Sequence, residues 1–289
     1  MSNECSANEN DSSELIYTHA PVMKEVHPLK IRCSVFAVCN DGLHDYQDSA
    51  CPEKSFGWRE IVPPFYTCLC DGVSGAYKSK AFADVVSLAC GTSGTKAVTE
   101  PKSVRSLGDK WIAQQFKEID DAYPNAIDIN KREKILLDRD SIYHRRAATT
   151  LNILEIKQDE AVVYSYGDTV CFHIRGKEII AQNPPLSADE FTNLPYQINT
   201  DTDHLLQSEF ITSATPIQTG DILLLATDAL AQWLVSDSPD LPQENRIKSL
   251  ISISSDDEFD MFIGEERKNK RIHNDDTTMM KIEIKFTGE

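Results

Sequence analysis

The sequence predicts an α+β fold, because its helical and strand-like patterns come in blocks and do not alternate strictly. Strand-like segments follow one another between residues 149 and 181, and short turns at 158–159, 167–168 and 175–177 separate them. This arrangement is typical of an antiparallel meander. The 289 residues suffice for one large or two small domains with a sizeable core.

Hydrophobic spacing predicts the individual elements. Leu107, Trp111 and Ile112 recur at helical intervals, whereas Met280 and Ile282 alternate with polar neighbours, as in a strand. Strands are predicted at 31–39, 65–70, 149–156, 161–166, 169–174, 178–181, 221–226 and 278–286. Helices are predicted at 76–90, 104–123, 130–146, 229–235 and 244–268. Loops are predicted around Pro52 and Gly57 and across 182–215.

The first 27 residues are polar, acidic and without periodicity. They are predicted to form a flexible N-terminal arm, because such a composition buries too little apolar surface to order the chain. Residues 28–289 are predicted to form a single domain.

The net charge restricts the partners of this protein. With 29 basic and 46 acidic residues, the formal charge is -17. Such an acidic surface argues against binding to nucleic acid and to an anionic membrane surface. A site for a phosphorylated substrate would therefore need a local positive charge, such as a bound metal ion.

The cysteines indicate a reducing environment. The eight cysteines show no zinc-binding spacing, and Cys68 and Cys70 lie in an apolar run that predicts buried thiols. Neither a signal peptide nor a transmembrane run is visible. We therefore expect a cytoplasmic location.

Acidic residues follow several predicted strands. Asp71 ends the apolar run 65–70 and stands beside Gly72, which permits close approach to the backbone. Further aspartates lie at strand ends or tight turns, namely Asp48, Asp168, Asp228 and Asp275. If these ends converge, the carboxylates repel one another unless cations neutralise them. Oxygen ligands alone favour Mg²⁺ or Mn²⁺, and two such ions can activate a bridging water for attack on a phosphate.

Short motifs around these aspartates occur in a characteristic order. They are Gln47-Asp48, Asp71-Gly72, Ala148-Thr149-Thr150-Leu151, Gly167-Asp168-Thr169, the run from Gly220 to Asp228, and Asp275-Asp276-Thr277-Thr278. Each motif is weak alone, but the ordered set resembles the metal-dependent type 2C (PPM) protein serine/threonine phosphatases, in a bacterial-like variant. The resemblance covers residues 31 to 286.

This resemblance implies a four-layer αββα sandwich of two antiparallel sheets flanked by helices. It implies two Mn²⁺ or Mg²⁺ ions and hydrolysis of phosphoserine and phosphothreonine by a metal-activated water. By position, Asp71 would bridge both ions, the Gly72 carbonyl would bind one, and Asp228 and Asp275 would complete a shell; these three aspartates are the implied catalytic residues. Asp48 would hold the other ion, mostly through water. The remaining acid, Asp168, matches a position tied to a weaker third ion.

Several positions depart from the family pattern. Gln47 replaces a Glu, Ala229 replaces the Gly after Asp228, and Gln232 replaces an Asp linked to the third ion. The His found after Asp-Gly in eukaryotic members is Val73 here. His44 stands near the place of a phosphate-binding Arg and is a candidate for weak substrate binding.

The basic run 267–271 is interpreted as a solvated patch, with attraction of phosphate at the rim of the site as the alternative. For the whole protein the sequence leaves open three functions. It is an active phosphoprotein phosphatase with a cognate serine/threonine kinase, a catalytically weak relative that binds phosphoproteins or acts as a scaffold, or a phosphatase of small metabolites.

Overall fold

The computed structural model describes most of the chain after residue 27. The described residues are 28–40, 46–73, 76, 78–94, 100–122, 147–192, 195–200, 209–238 and 240–287. The predicted arm 1–27, the predicted helix 130–146 and His44 lie outside them. None of the described helices combines the length and the apolar character that crossing a membrane requires.

Two antiparallel sheets form the centre of the fold. Sheet A contains β3 (Phe56–Ile61), β1 (Leu29–Val38), β12 (Thr277–Phe286), β11 (Ile222–Ala226), β7 (Val170–Arg175) and β8 (Glu178–Asn183), in that spatial order. Sheet B contains β10 (Ile211–Pro216), β6 (Glu160–Tyr166), β5 (Ala148–Ile156), β4 (Phe65–Gly72) and β2 (Ser49–Cys51), and the short β9 (Ile198–Asn199) also pairs with β5.

Helices cover the outer faces of both sheets. The described helices are α1 (Ser79–Ser93), α2 (Pro101–Ala122), α3 (Asp228–Val235), α4 (Gln243–Ser252) and α5 (Asp256–Lys268), with a short 3-10 helix at Ala188–Glu190. Buried apolar residues of the described part of the chain fill the spaces between the layers. Phe172 and Trp233 join sheet A to α3–α5, Leu69 and Met280 lie between the sheets, and Cys68 and Phe82 join sheet B to α1 and α2. The four-layer αββα sandwich is thus confirmed.

Most predicted elements are present with shifted ends. The strand predicted at 65–70 extends to Gly72, which places Asp71 within the strand and not after it. The helix predicted at 76–90 begins at Ser79 and ends at Ser93, where Gly94 has a φ of 54° that stops the helix. Met280, Ile282 and Ile284 are buried on the face of β12 that meets sheet B, as their alternation predicts.

Other predictions were wrong. The stretch 244–268 forms two helices because Ser255 accepts a hydrogen bond from the Glu258 N–H and so begins α5 as its N-cap. The stretch around Gly57 is a strand, β3, which pairs with β1 at the edge of sheet A. The region 182–215 contains β9 and the first part of β10. These strands lack buried alternation over enough residues to be recognised, and β3 is largely exposed.

Candidate functional site

Four aspartates from separate elements line one pocket of about 220 Å³. Asp71 is the penultimate residue of β4, Asp168 lies in the turn between β6 and β7, Asp228 begins α3 two residues after the end of β11, and Asp275 lies two residues before β12. The other lining residues are Gly72, Val73, Thr150, Thr192 and Pro195. The strand ends of both sheets therefore bring together acids that are far apart in the sequence.

A larger cavity, of about 790 Å³, lies between α1 and the connection from β2 to β3. Its charged lining consists of Glu53, Asp84, Lys54 and Arg59, so acids and bases balance. Volume alone would favour this cavity as the site. The smaller pocket is the better candidate because it concentrates four acids without a basic residue among its described lining.

Asp48 does not line the pocket but is fully buried close to Asp71, whose pKa its carboxylate raises. Its Oδ2 accepts a hydrogen bond from Thr278 Oγ1 at 2.7 Å. Among the described residues, Oδ1 lacks a donor while Asp71 is ionised, because only a protonated Asp71 carboxyl group hydrogen-bonds to the Asp48 carboxylate in its place, and the buried Oε1 of Gln47 lacks a donor as well. A buried acceptor oxygen without a donor is costly, and a cation is one group that satisfies it.

The pKa values of the clustered acids are raised. Burial is the largest cause for Asp71, whose pKa lies well above its usual range, and the carboxylates of Asp48, Asp228, Asp168 and Asp275 raise it further. The pKa of Asp48 rises to about 8, that of Asp168 to about 7 and that of Asp228 to about 6, each mainly through burial. Burial also raises the pKa of Asp275. Ionised carboxylates thus repel one another here, as the sequence argument expects.

Neighbouring polar groups hold the backbone of Asp71 and the carboxylate of Asp228. Thr149 lies opposite Gly72 on β5 and donates from Oγ1 to the carbonyl oxygen of Asp71 at 2.8 Å. The Ala229 N–H donates to Asp228 Oδ1 at 2.5 Å. Gln232, which stands where the family resemblance would place an acid, donates from Nε2 to the carbonyl oxygen of Ala188 at 2.8 Å.

The oxygen ligands of the pocket suit a divalent cation, although they do not surround one completely. In the described part of the chain, no three His, Cys, Asp or Glu side chains are arranged so that they could hold a metal ion as they stand. The pocket nevertheless offers only oxygen ligands, carries mutually repelling carboxylates, and lies beside Asp48 Oδ1, which lacks a donor while Asp71 is ionised. Hard ions such as Mg²⁺ and Mn²⁺ prefer such oxygens and keep water ligands that fill open positions.

Some residues around the site escaped the sequence analysis. Thr278 bonds to Asp48, and the Tyr46 hydroxyl hydrogen-bonds to Thr278 in turn. Asp276 and Arg267 bind the loops beside the acids. Arg267 is thus not part of a solvated patch, whereas Lys268 and Lys270 are exposed. Thr278 and Asp276 drew attention only as members of the last motif, and Arg267 only as a member of the basic run 267–271, where no local signal indicated its contacts with these loops.

No protein-family model matches the sequence, and no curated protein matches it either. Solved structures do match. The catalytic domain of the serine/threonine protein phosphatase PstP, in complex with two manganese ions, is 15% identical over 89% of this chain and 99% of that chain, with a TM-score of 0.54. This chain has the fold of the type 2C protein phosphatases.

Two further structures have the same type 2C fold. The serine/threonine phosphatase Stp1 from Staphylococcus aureus is 14% identical over 88% of this chain and 94% of that chain, with a TM-score of 0.53. The Mycobacterium tuberculosis serine/threonine phosphatase PstP/Ppp is 15% identical over 88% of this chain and 98% of that chain, with a TM-score of 0.54. The type 2C fold is therefore retained where little sequence identity remains.

Proposed function

We propose that this protein is a metal-dependent phosphatase that removes phosphate from phosphoserine and phosphothreonine in proteins. One observation carries the proposal: four acids from four separate elements line one pocket of the type 2C fold. The PstP neighbour binds two manganese ions, which supports a pair of divalent cations here as well.

The aspartates of the pocket would hold these cations. We assign Asp71, the Gly72 carbonyl, Asp228 and Asp275 to the pair, Asp48 to the same centre through water, and Asp168 to a weaker third ion. Two bound cations would supply an activated water and would neutralise the phosphate oxygens during attack. A phosphate ester needs that compensation, because no basic side chain is among the described residues that line the pocket.

Hydrogen bonds from the surrounding protein orient the groups that would bind these cations. The hydrogen bond from Thr278 fixes the orientation of Asp48 and leaves Oδ1 without a donor while Asp71 is ionised. The bond from Thr149 fixes the carbonyl end of β4 beside Gly72. Preorganised ligands of this kind reduce the reorganisation that metal binding would otherwise require.

We further propose a cytoplasmic phosphoprotein substrate and a cognate serine/threonine kinase. The seven described cysteines are free thiols, which supports a reducing compartment. His44 stays a candidate for weak contact with the substrate phosphate and lies outside the described residues.

The test compares three substrates with Mn²⁺ and with a chelator: a chromogenic phosphomonoester, a set of phosphoserine and phosphothreonine peptides, and small phosphorylated metabolites. We expect Mn²⁺-dependent turnover of the chromogenic ester and preference for the peptides. Turnover that survives exhaustive chelation would refute the metal mechanism. Preference for the metabolites would replace the substrate class, and peptide binding without turnover would indicate a scaffold.

A further inference from the structure

Arg267, in the last turn of α5, connects two loops beside the proposed metal site. Its Nη1 donates to the carbonyl oxygen of Cys39 at 2.8 Å, just after β1. Its Nη2 donates to the carbonyl oxygen of Asp275 and to Thr277 Oγ1, the latter at 3.2 Å. One planar guanidinium group therefore holds the end of β1 against the turn that carries Asp275.

Asp276 makes a second connection between the same loops. Its Oδ1 accepts a hydrogen bond from the Asn40 N–H at 2.9 Å, and its Oδ2 accepts one from the Gln47 N–H at 2.6 Å. Asp276 is buried, with 5% of its surface exposed. Its carboxylate thus holds the backbone on the approach to Asp48, from a position directly after Asp275.

The sheet itself does not extend to these loops. Pairing of β1 with β12 ends at Val38 and Thr277. Beyond this pair, the backbone bonds of sheet A no longer hold the segment leading to Asp48 against the turn with Asp275. Arg267 and Asp276 bond the two segments at the place where the ladder stops.

We propose that Arg267 and Asp276 are positioning residues that hold Asp48 and Asp275 in register for metal binding. The inference rests on the proposed function, because the proposed function assigns Asp48 and Asp275 to the cations. Neither positioning residue lines the acid pocket. Their effect therefore passes through the backbone of Cys39, Gln47 and Asp275.

The direct test measures Mn²⁺ binding without turnover, from the electron paramagnetic resonance signal of free Mn²⁺. We expect Arg267→Met and Asp276→Ala each to weaken Mn²⁺ binding about 10- to 100-fold, which is usual when groups that orient metal ligands are lost. Arg267→Lys keeps the positive charge but loses the planar guanidinium group that reaches separate acceptors. Its Mn²⁺ affinity should therefore be little higher than that of Arg267→Met. Full rescue by Lys would show an effect of charge and would overturn positioning.

Arg271→Met is the matched control. Arg271 lies just after α5, and its side-chain hydrogen bonds to the described residues form a two-pronged ion pair with Glu266 on that helix, not with Cys39, Asp275 or Thr277. Its loss should lower the melting temperature of the metal-free protein and leave Mn²⁺ affinity within about twofold. If Arg267→Met behaves in the same way, with lower stability and unchanged affinity, the arginine is merely structural and the inference fails.

Two further outcomes are distinguishable. If Arg267→Met does not fold, the Mn²⁺ affinity of Asp276→Asn tests the inference instead. Asn keeps the shape of Asp, but its NH₂ group cannot accept a hydrogen bond from the backbone N–H that it faces. A folded Asp276→Asn protein with wild-type Mn²⁺ affinity overturns the inference. Wild-type protein that binds no Mn²⁺ overturns the proposed function, and the positioning role with it.

Discussion

A methyl group added at Gly72 would lie 2.6 Å from the carbonyl oxygen of Gln47, closer than any relaxed carbon–oxygen contact. The same methyl group would lie 3.1 Å from Gln47 Cβ and from Ser79 Cβ. The backbone of Gly72 is therefore packed directly against the residue before Asp48. This close approach explains why glycine stands beside Asp71, and no unusual backbone dihedral angle is needed to explain it.

We expect Gly72→Ala to push the chain at Gln47 and Asp48 away from β4. Overpacking of this kind costs about 1–3 kcal/mol of unfolding free energy, and Mn²⁺ affinity should fall as well because Asp48 moves away from Asp71. Urea unfolding and Mn²⁺ titration measure the two effects. Gly57→Ala is the control, since no atom of the described residues lies within 4 Å of its added methyl group. Equal behaviour of the two variants would contradict the packing argument.

Much of the site was predictable because its acids end buried strands. The apolar runs of β4 and β11 are readable in the sequence, and an aspartate follows or closes each of them. Asp71 lies on a strand of sheet B and Asp228 follows a strand of sheet A, so the pattern alone offered their convergence only as a condition, and the family resemblance supplied their common site. The αββα layers came from the resemblance, and the block pattern by itself gave only the α+β class.

The supporting contacts were not predictable, since they join residues that are distant in sequence. Asp276 binds Asn40 across 236 positions, and Thr278 binds Asp48 across 230. Hydrophobic periodicity describes which face of an element is buried and carries no information about such polar pairs. The edge strand β3 was missed for the related reason that its exposed residues show no buried face.

Asp221 forms a buried ion cluster at the opposite end of β11 from Asp228. It accepts hydrogen bonds from Arg175 Nε and Nη2, each at 2.9 Å, and from the Gln218 N–H, and His173 Nε2 lies 2.8 Å from its Oδ2. Burial alone would raise the pKa of Asp221, but the bonds from Arg175, His173 and Gln218 hold it below its usual value.

A lowered pKa makes this stabilisation dependent on pH. The contribution of Asp221 is present above the pKa of the unfolded chain, about 3.9, and is lost as pH falls through the lower folded pKa. We expect Asp221→Asn to lower the unfolding free energy at pH 7 by about 1–3 kcal/mol, and the difference from wild type to shrink below about pH 4. Urea unfolding at pH 7 and at pH 3 measures both.

The exposed pair of Lys177 and Glu244 supplies the control for Asp221. Glu244→Gln should cost much less than Asp221→Asn, because exposed ion pairs contribute little in water. A loss at Asp221 that is no larger than the loss at Glu244 would contradict the role of burial.

Metal binding should stabilise the folded protein. The repelling carboxylates of the pocket are relieved by a cation that the unfolded chain does not bind, so Mn²⁺ at about 100 times its Kd should add about 2.7 kcal/mol. Differential scanning fluorimetry with and without Mn²⁺ measures the rise in melting temperature. The rise should be absent in a chelator. An unchanged melting temperature at saturating Mn²⁺ would count against convergence of these acids on a metal.

Asp71 is the residue on which the proposed reaction depends most. Bridging two cations requires a carboxylate with both oxygens available, whereas Asn has one acceptor oxygen and no charge. A bound metal lowers the pKa of water from about 15.7 to about 7, so Asp71→Asn should reduce turnover by orders of magnitude. The fold should survive, because removing one of several buried, mutually repelling carboxylates does not destabilise the metal-free protein.

Turnover of a chromogenic phosphomonoester and circular dichroism on the same sample test this prediction. Asp256→Asn makes the same chemical change at an exposed position in the first turn of α5 and should retain the wild-type rate. A folded Asp71→Asn protein with more than about a tenth of the wild-type rate would have lost less than about 1.4 kcal/mol of transition-state stabilisation. So small a loss is incompatible with a carboxylate that bridges two cations, and the assignment of Asp71 would have to be abandoned.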